Sequence, residues 1–288
     1  MRSMLFCPAD RPERAINAWR FNPDAVIIDL EESISNSSKD EARINVPKIF
    51  DSNPDAEWYV RINSIGSGIA DDDLLAVVSR GLKGIIIPKV EDKHEVQYVH
   101  EQIKRNAEKR GVNLDIIKLV PTIESVVGIT NTRDIATSST MVFSIGLGGA
   151  DLALDLGVEL NESSDLLKYM MCEIALESRR ANLAPPQDSA YPKYDDDVGL
   201  KTACLMARKN GFGTKRAIHP RQISIINAIF SPTEGEIKRA TTIKEEYERQ
   251  IANNDRGVIA SNGLMIDYPI YKNALRTIEI AKRDHKLN

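Results

Sequence analysis

Eight short, almost continuously apolar runs recur along the chain: MLFCPA (4–9), AVIIDL (25–30), WYVRIN (58–63), GIIIPKV (84–90), IIKLVPTIE (116–124), MVFSIG (141–146), NLAPP (182–186) and KRAIHP (215–220). Most are rich in β-branched residues, and they have the character of strands covered on both faces. Their starts lie about 30 residues apart, the length of one βα unit. Amphipathic stretches fill the intervals. Asp71 to Gly81 opens on acidic residues and closes on glycine, Lys93 to Lys109 is followed by Gly111, and Ser163 to Asn182 carries Leu166, Leu167, Met170, Ile174 and Leu176 at helical spacing. Eight strand–helix units without a strand-only block predict a parallel sheet, and the number eight favours closure into an α/β (β/α)8 TIM barrel. The competing fold, an open doubly wound sheet, expects a GxGxxG turn after the first strand; CPADRPER stands there instead.

The pattern changes after the eighth run. Pro232 to Asn253 reads as one charged helix, Asp255 to Tyr268 as a turn-rich segment and Ile270 to Lys286 as a final helix. Residues 1–230 are expected to form the barrel, and 231–288 a C-terminal helical extension that serves as a lid or an oligomer contact. A net charge of −4 with no basic stripe argues against a nucleic-acid partner. No apolar run reaches the roughly 18 residues of a membrane span, and MRSMLFCPAD holds too short an apolar stretch for a signal peptide. Cys7, Cys172 and Cys204 are far apart with no CxxC, which predicts reduced thiols in a cytoplasmic protein and neither a disulfide frame nor a zinc site. Cys7 reads as a small core residue or as a reactive thiol.

Barrel chemistry sits where strands end and the βα loops begin. The residues closing the runs are Asp29, Glu31 and Glu32; Arg61 and Asn63; Lys89; Glu124; Asp151; and His219, a ring of carboxylates with one arginine and one lysine. Glu124, after LVPTI, and Asp151, in SIGLGGADLALDLG, read either as acids at helix N-termini or together as oxygen ligands of a hard cation. Mg2+ accepts a couple of carboxylates and completes its shell with water and substrate oxygens. Gly146, Gly148 and Gly149 let a ligand approach the backbone, and the turn before the helix can hold an anion. Arg61, flanked by apolar residues in VRIN, reads as an ion-pair partner of Asp29, Glu31 or Glu32, or as a bidentate clamp on a substrate carboxylate. Lys89 reads first as a structural pair, with a Schiff base as the alternative. His219 reads as a general base or as a hydrogen-bonded core imidazole; His94, His100 and His285 lie in charged helices and read as surface residues.

FCPADRPERA, VIIDLEESISNSSKDEAR, VRIN, IPKVE, PTIES, GLGGADLA, IHPRQI, SPTEGEIKRA and NGLMIDYPIYKNA follow one another in that order. These nine motifs in register resemble the citrate lyase β-subunit family with its malyl-CoA and citramalyl-CoA lyase relatives, within the HpcH/HpaI aldolases. The resemblance implies that Glu124 and Asp151 bind Mg2+, with Mn2+ as a substitute, and that Gly149 and Ala150 face the substrate. It implies Arg61 as a ligand of the substrate carboxylate, and Asp29, Glu31, Glu32 and Lys89 as its supporting shell. Asp267 would be the lid aspartate that enters the site of a neighbouring subunit in a homotrimer. The CoA arm, carried as part of the substrate, would run near Arg2, Arg14 and His219. The implied reaction is a Mg2+-dependent carbon–carbon cleavage or formation of a 3-hydroxyacyl thioester, such as citryl-, malyl- or citramalyl-CoA, giving a 2-oxo acid and an acetyl thioester. In it Arg61 aligns the scissile bond and Asp267 moves the proton at the thioester enolate carbon. The alternatives are an aldolase on free 4-hydroxy-2-oxo acids and a lyase subunit acting on an acyl-carrier-protein thioester within a complex. Asn17 and Leu264 stand where many relatives have lysine, and PPQDSAYPKYDDD follows the family pattern only loosely; all three lie toward the thioester side.

Overall fold

The computed structural model describes residues 1–159, 164–252, 259–261 and 264–284. The chain divides into two compact units, Met1–Asn227 and Ala228–Asn288. The first contains β1 (Ser3–Pro8), β2 (Ala25–Asp29), β3 (Trp58–Arg61), β4 (Leu82–Ile87), β5 (Lys118–Ile123), β6 (Gly146–Leu147), β7 (Gln187–Asp188) and β8 (Thr214–Ala217). They pair in sequence order and in parallel, and β1 returns to β8 through Ser3↔Lys215 and Met4↔Arg216 to close the barrel. The continuous apolar runs have this cause: all five residues of β2 are buried, because helices cover one face and the barrel interior the other. The interior is filled by Met4, Ala25, Ile27, Tyr59, Ile86 and Val120. Full burial of each large apolar side chain contributes about 1.5–3 kcal/mol over exposure.

Two strands differ from the expected runs. MVFSIG lies beside β5, with Phe143 N–H donating to Leu119 O at 2.9 Å, but regular β6 begins only at Gly146. NLAPP precedes its strand rather than forming it. Pro185 and Pro186 have no N–H to donate, so the ladder starts at Gln187. The real end of β7 is therefore Asp188.

The helix Lys93–Arg110 is capped by Asp92 and Glu95 in a reciprocal box and closes on Gly111 at φ 65°. The expected Asp71 to Gly81 helix is shorter, Ala70–Val77, and none of its aspartates caps it. Asp73 turns inward instead, accepting from Arg43 Nε at 2.8 Å and from Asn63 N–H and Nδ2 at 2.7 Å each. Cys7 and Cys204 are buried. Burial pushes each thiol up to about 12, so Cys7 is a core residue rather than a reactive thiolate.

In the second unit, the helices Glu234–Ala252 and Tyr268–Arg283 pack together, with Tyr247 stacked on Tyr271 at 4.3 Å between ring centres. The segment expected to be turns holds two antiparallel strands, β9 (Ile259–Ser261) and β10 (Leu264–Ile266). The rest of it before β10, like Ser163 and His285, lies outside the described residues. Among the described residues no helix is long and apolar enough to cross a membrane.

Candidate active site

The strand order carries polar side chains to one end of the barrel. Asp29 closes β2 and Arg61 closes β3, and the two are direct partners in the β2–β3 register. Glu124 follows β5; Gly148 follows β6 and leads into the helix Gly149–Asp155, which carries Asp151 in its first turn. These residues line one cavity of about 480 Å³, together with Phe6, Arg14, Glu32, Ala150 and Arg216.

Arg61 is held on three sides. Its Nε and Nη2 donate to the two oxygens of Asp29 at 2.7 and 2.8 Å, Nη1 lies 3.1 Å from Glu31, and the guanidinium sits 4.7 Å from the Phe6 ring centre. Burial alone would raise the Asp29 carboxyl, but the hydrogen bonds and charge of Arg61, with N–H donations from Ser33 and Glu31, hold it below its ordinary value. Of the two readings of Arg61, the ion pair describes most of its fork; only Nη1 lies outside the Asp29 pair. Lys89, at φ 54°, reaches Glu31 at 3.3 Å, Glu32 at 3.4 Å and Asp151 at 4.0 Å, so it is an ion-pairing lysine here.

Beneath this layer the buried ammonium of Lys39 donates to the carbonyls of Leu30 and Glu31 at 2.6 Å and to Asn63 Oδ1 at 2.7 Å, fixing the acidic loop. Lys39 carries no sequence sign of this role; Asp188, which pairs with buried Lys215, lines a neighbouring pocket rather than this cavity. Arg216 was also missed. It lies on β8, 4% exposed, with Nη2 donating to Thr122 Oγ1 at 3.1 Å.

Negative charge is in excess at the mouth. Burial first, then the charges of Glu31 and Asp151, push Glu124 up from its ordinary 4.5 to about 8. Burial likewise raises Glu31, against the pull of Arg61 and Lys89, and its Oε2 accepts no hydrogen bond despite lying 3.1 Å from Arg61. Gly148 is pressed against Glu124: a Cβ there would lie 2.3 Å from Glu124 Cγ, so only glycine lets the carboxylate stay in the cavity. Among the described residues no group of three or more His, Cys, Asp or Glu side chains forms a metal cage. What is present is a pair of hard oxygen donors with open space beside them. That donor set fits a cation such as Mg2+, which takes few protein ligands and keeps sites for water and substrate.

The other expected residues are placed as follows. Arg14 lines both this cavity and an adjoining groove of about 460 Å³, whose wall includes His219. His219 is exposed, accepts from Arg221 N–H at 3.2 Å and lies tilted against Tyr194 with ring centres 5.0 Å apart, which corrects the core-imidazole reading. Arg2 is also corrected. It precedes β1, at the opposite end of the barrel, and forks onto Asp24 at 2.6 and 3.0 Å, away from any thioester groove. Asp267 belongs to the second unit, where its side chain caps the helix Tyr268–Arg283 by accepting from Ile270 N–H at 3.0 Å.

A closed eight-stranded barrel with a carboxylate-rimmed cavity at the C-terminal ends of its strands has the architecture of a TIM-barrel enzyme site. The chain belongs to the HpcH/HpaI aldolase/citrate lyase family, whose model matches residues 2–220. It is 32% identical to the citrate lyase subunit beta of Haemophilus influenzae, over 98% of this chain and 97% of that protein. It is 27% identical to the mitochondrial citramalyl-CoA lyase of Homo sapiens, over 97% of this chain and 85% of that protein. Among solved structures it is similar to the citrate lyase beta subunit from M. tuberculosis complexed with oxaloacetate and magnesium, with a TM-score of 0.67 and 25% identity over 80% of this chain and 97% of that one. The protein is an enzyme of the lyase class.

Proposed function

We propose that this chain is a Mg2+-dependent carbon–carbon lyase that cleaves, or in reverse forms, a 3-hydroxyacyl thioester, giving a 2-oxo acid and an acetyl thioester. One observation carries the reading: Glu124 and Asp151, far apart in sequence, line the same cavity, and Glu124 is lifted to about 8 partly by neighbouring carboxylates. The magnesium-bound relative and the lyase names of the curated relatives support it.

Glu124 and Asp151 would hold the cation, which supplies Lewis-acid polarisation of the substrate's oxygens. The protein's own groups do the rest. The N–H groups of Gly149 and Ala150 open the helix Gly149–Asp155 toward the cavity and suit a carboxylate. Arg61, held by Asp29 and Glu31, presents Nη1 in a fixed direction. Asp267, from a neighbouring subunit, is assigned the proton transfer at the thioester enolate carbon. The groove beside Arg14 and His219 adjoins the cavity and suits the thioester arm, which favours a thioester over a free 4-hydroxy-2-oxo acid.

The direct test is a panel of malyl-, citramalyl- and citryl-CoA with the full chain, measuring released glyoxylate, pyruvate and oxaloacetate. One of them is expected to appear in Mg2+ and to disappear in excess chelator; release that ignores the chelator rejects the proposal. A second result concerns pH. With its carboxyl near 8, Glu124 must give up a proton on binding the cation below that value. Apparent Mg2+ affinity is therefore expected to climb with pH, by up to about tenfold per unit, and to level off above about 8. Calorimetric titration in buffers of different ionisation heat reads the released proton. A flat profile removes Glu124 from the ligand set.

A further inference from the structure

Arg216 is a built feature that nothing above uses. It sits on β8 and lines the cavity, yet is 4% exposed. Its Nη2 donates to two neutral acceptors, Thr122 Oγ1 at 3.1 Å and Gln187 Oε1 at 3.4 Å, while its buried Nε has no partner. Among the described residues no carboxylate comes within ion-pair distance of it; the charges of Glu124 and Asp188 act on it only from farther off, and Asp188 is itself paired with Lys215. The other buried cations differ. Lys39 ties the acidic loop, Lys215 holds Asp188, and Arg61 is forked on Asp29. Space has been left for this side chain, since a Cβ at Gly146 would lie 2.2 Å from Arg216 Nη2. A buried guanidinium without a counter-ion is costly, and a protein that maintains one beside its substrate cavity gains most when a ligand supplies the missing anion.

We propose that Arg216 is a second carboxylate-binding residue of the site, selecting a 2-oxo acid that carries a further carboxylate over one that carries a methyl group or hydrogen. The inference rests on the lyase reading and names the substrate class within it. With the 2-oxo acid's carboxylate and keto oxygen turned to the cation that Glu124 and Asp151 would hold, the substituent on the far side of the keto group is the part left to meet Arg216, which lines the same cavity. A carboxylate there completes the ion pair; a methyl group leaves the guanidinium dry and unpaired. Sites built around such a group reject analogues that lack its partner far more strongly than apolar pockets reject a missing methyl.

The test is calorimetric titration of the full chain in saturating Mg2+ with oxaloacetate and with pyruvate, and the same for Arg216→Gln and Arg216→Lys. The wild-type protein is expected to prefer oxaloacetate by at least about tenfold. Arg216→Gln is expected to abolish that preference, weakening oxaloacetate binding far more than pyruvate binding, and Arg216→Lys to retain part of it. Melting temperature separates this from a purely structural arginine: without ligand, Arg216→Gln should melt no lower than wild type, because an uncompensated buried charge has been removed. An unchanged ratio in Arg216→Gln overturns the proposal. Equal wild-type binding of the two acids also overturns it, while leaving the lyase reading standing; Mg2+-dependent binding of neither acid removes both. Should Arg216→Gln fail to fold, the wild-type ratio and Arg216→Lys decide.

Discussion

Glu124→Gln and Asp151→Asn are each expected to lower Mg2+-dependent turnover by at least about 10³-fold while leaving the barrel folded. Each substitution keeps the side chain's size and removes one of the two anionic donors proposed to hold the cation. The protein without a cation is expected to respond in the opposite sense. The Glu124 carboxyl is raised from its ordinary 4.5 to about 8, so its protonated form is favoured in the folded state. Its contribution to stability is thus fully present below the unfolded value and is lost as pH rises through about 8. Glu124→Gln carries no such ionisation. In chelator it should melt close to wild type at about pH 5 and above it at about pH 9. Thermal melts at the two pH values, beside turnover in Mg2+, check both halves. Full turnover in either variant removes the metal assignment, and a Glu124→Gln protein that melts lower at both pH values makes Glu124 a structural acid.

The barrel was legible because its strands are buried on both faces, which leaves long apolar runs that no two-sided amphipathic sheet shows. The same burial hid several charged residues. Pro185 and Pro186 delay the start of β7, so the run NLAPP ended the reading before Asp188. Lys215 and Arg216 look like a solvated pair in sequence, but in a strand covered on both faces neither can reach water. That rule, applied to KRAIHP, signals two buried charges that each require a partner or a purpose. Lys39 gives no local sign at all, since a lysine at a helix start is ordinary and only the folded loop brings it under Glu31.

Arg61 shows what strand adjacency adds. From VRIN alone its ion-pair and clamp readings stayed open. Once β2 and β3 are neighbours in parallel register, Asp29 and Arg61 become cross-strand partners at the same level of the barrel, and two of the three guanidinium nitrogens are committed. Legibility therefore stops where a role depends on which strand ends meet, a property of the closed sheet rather than of any one motif.

Asp29→Ala is the complementary experiment, with its largest effect on stability. The Asp29 carboxylate is 2% exposed and accepts four hydrogen bonds, two from Arg61 at 2.7 and 2.8 Å and two from the N–H groups of Glu31 and Ser33 at 3.0 and 3.1 Å. Removing it leaves a mostly buried guanidinium facing only Glu31 at 3.1 Å and the more exposed Glu32 at 3.5 Å, and loss of one partner of a buried pair costs about 3–5 kcal/mol. A urea titration at neutral pH should show that loss as a lower midpoint with an unchanged slope. The sign in acid follows from the direction of the shift. Because Arg61 holds Asp29 below its ordinary value, the carboxylate's contribution is present above the unfolded pKa of about 3.9 and is lost as pH falls through the lower folded value. Wild type should therefore lose stability below about pH 4, whereas Asp29→Ala, already without that contribution, should show a shallower acid slope. Parallel slopes, or a midpoint equal to wild type, would mean that Arg61 is not anchored by Asp29 in solution, and the fixed direction assigned to its Nη1 would go with it.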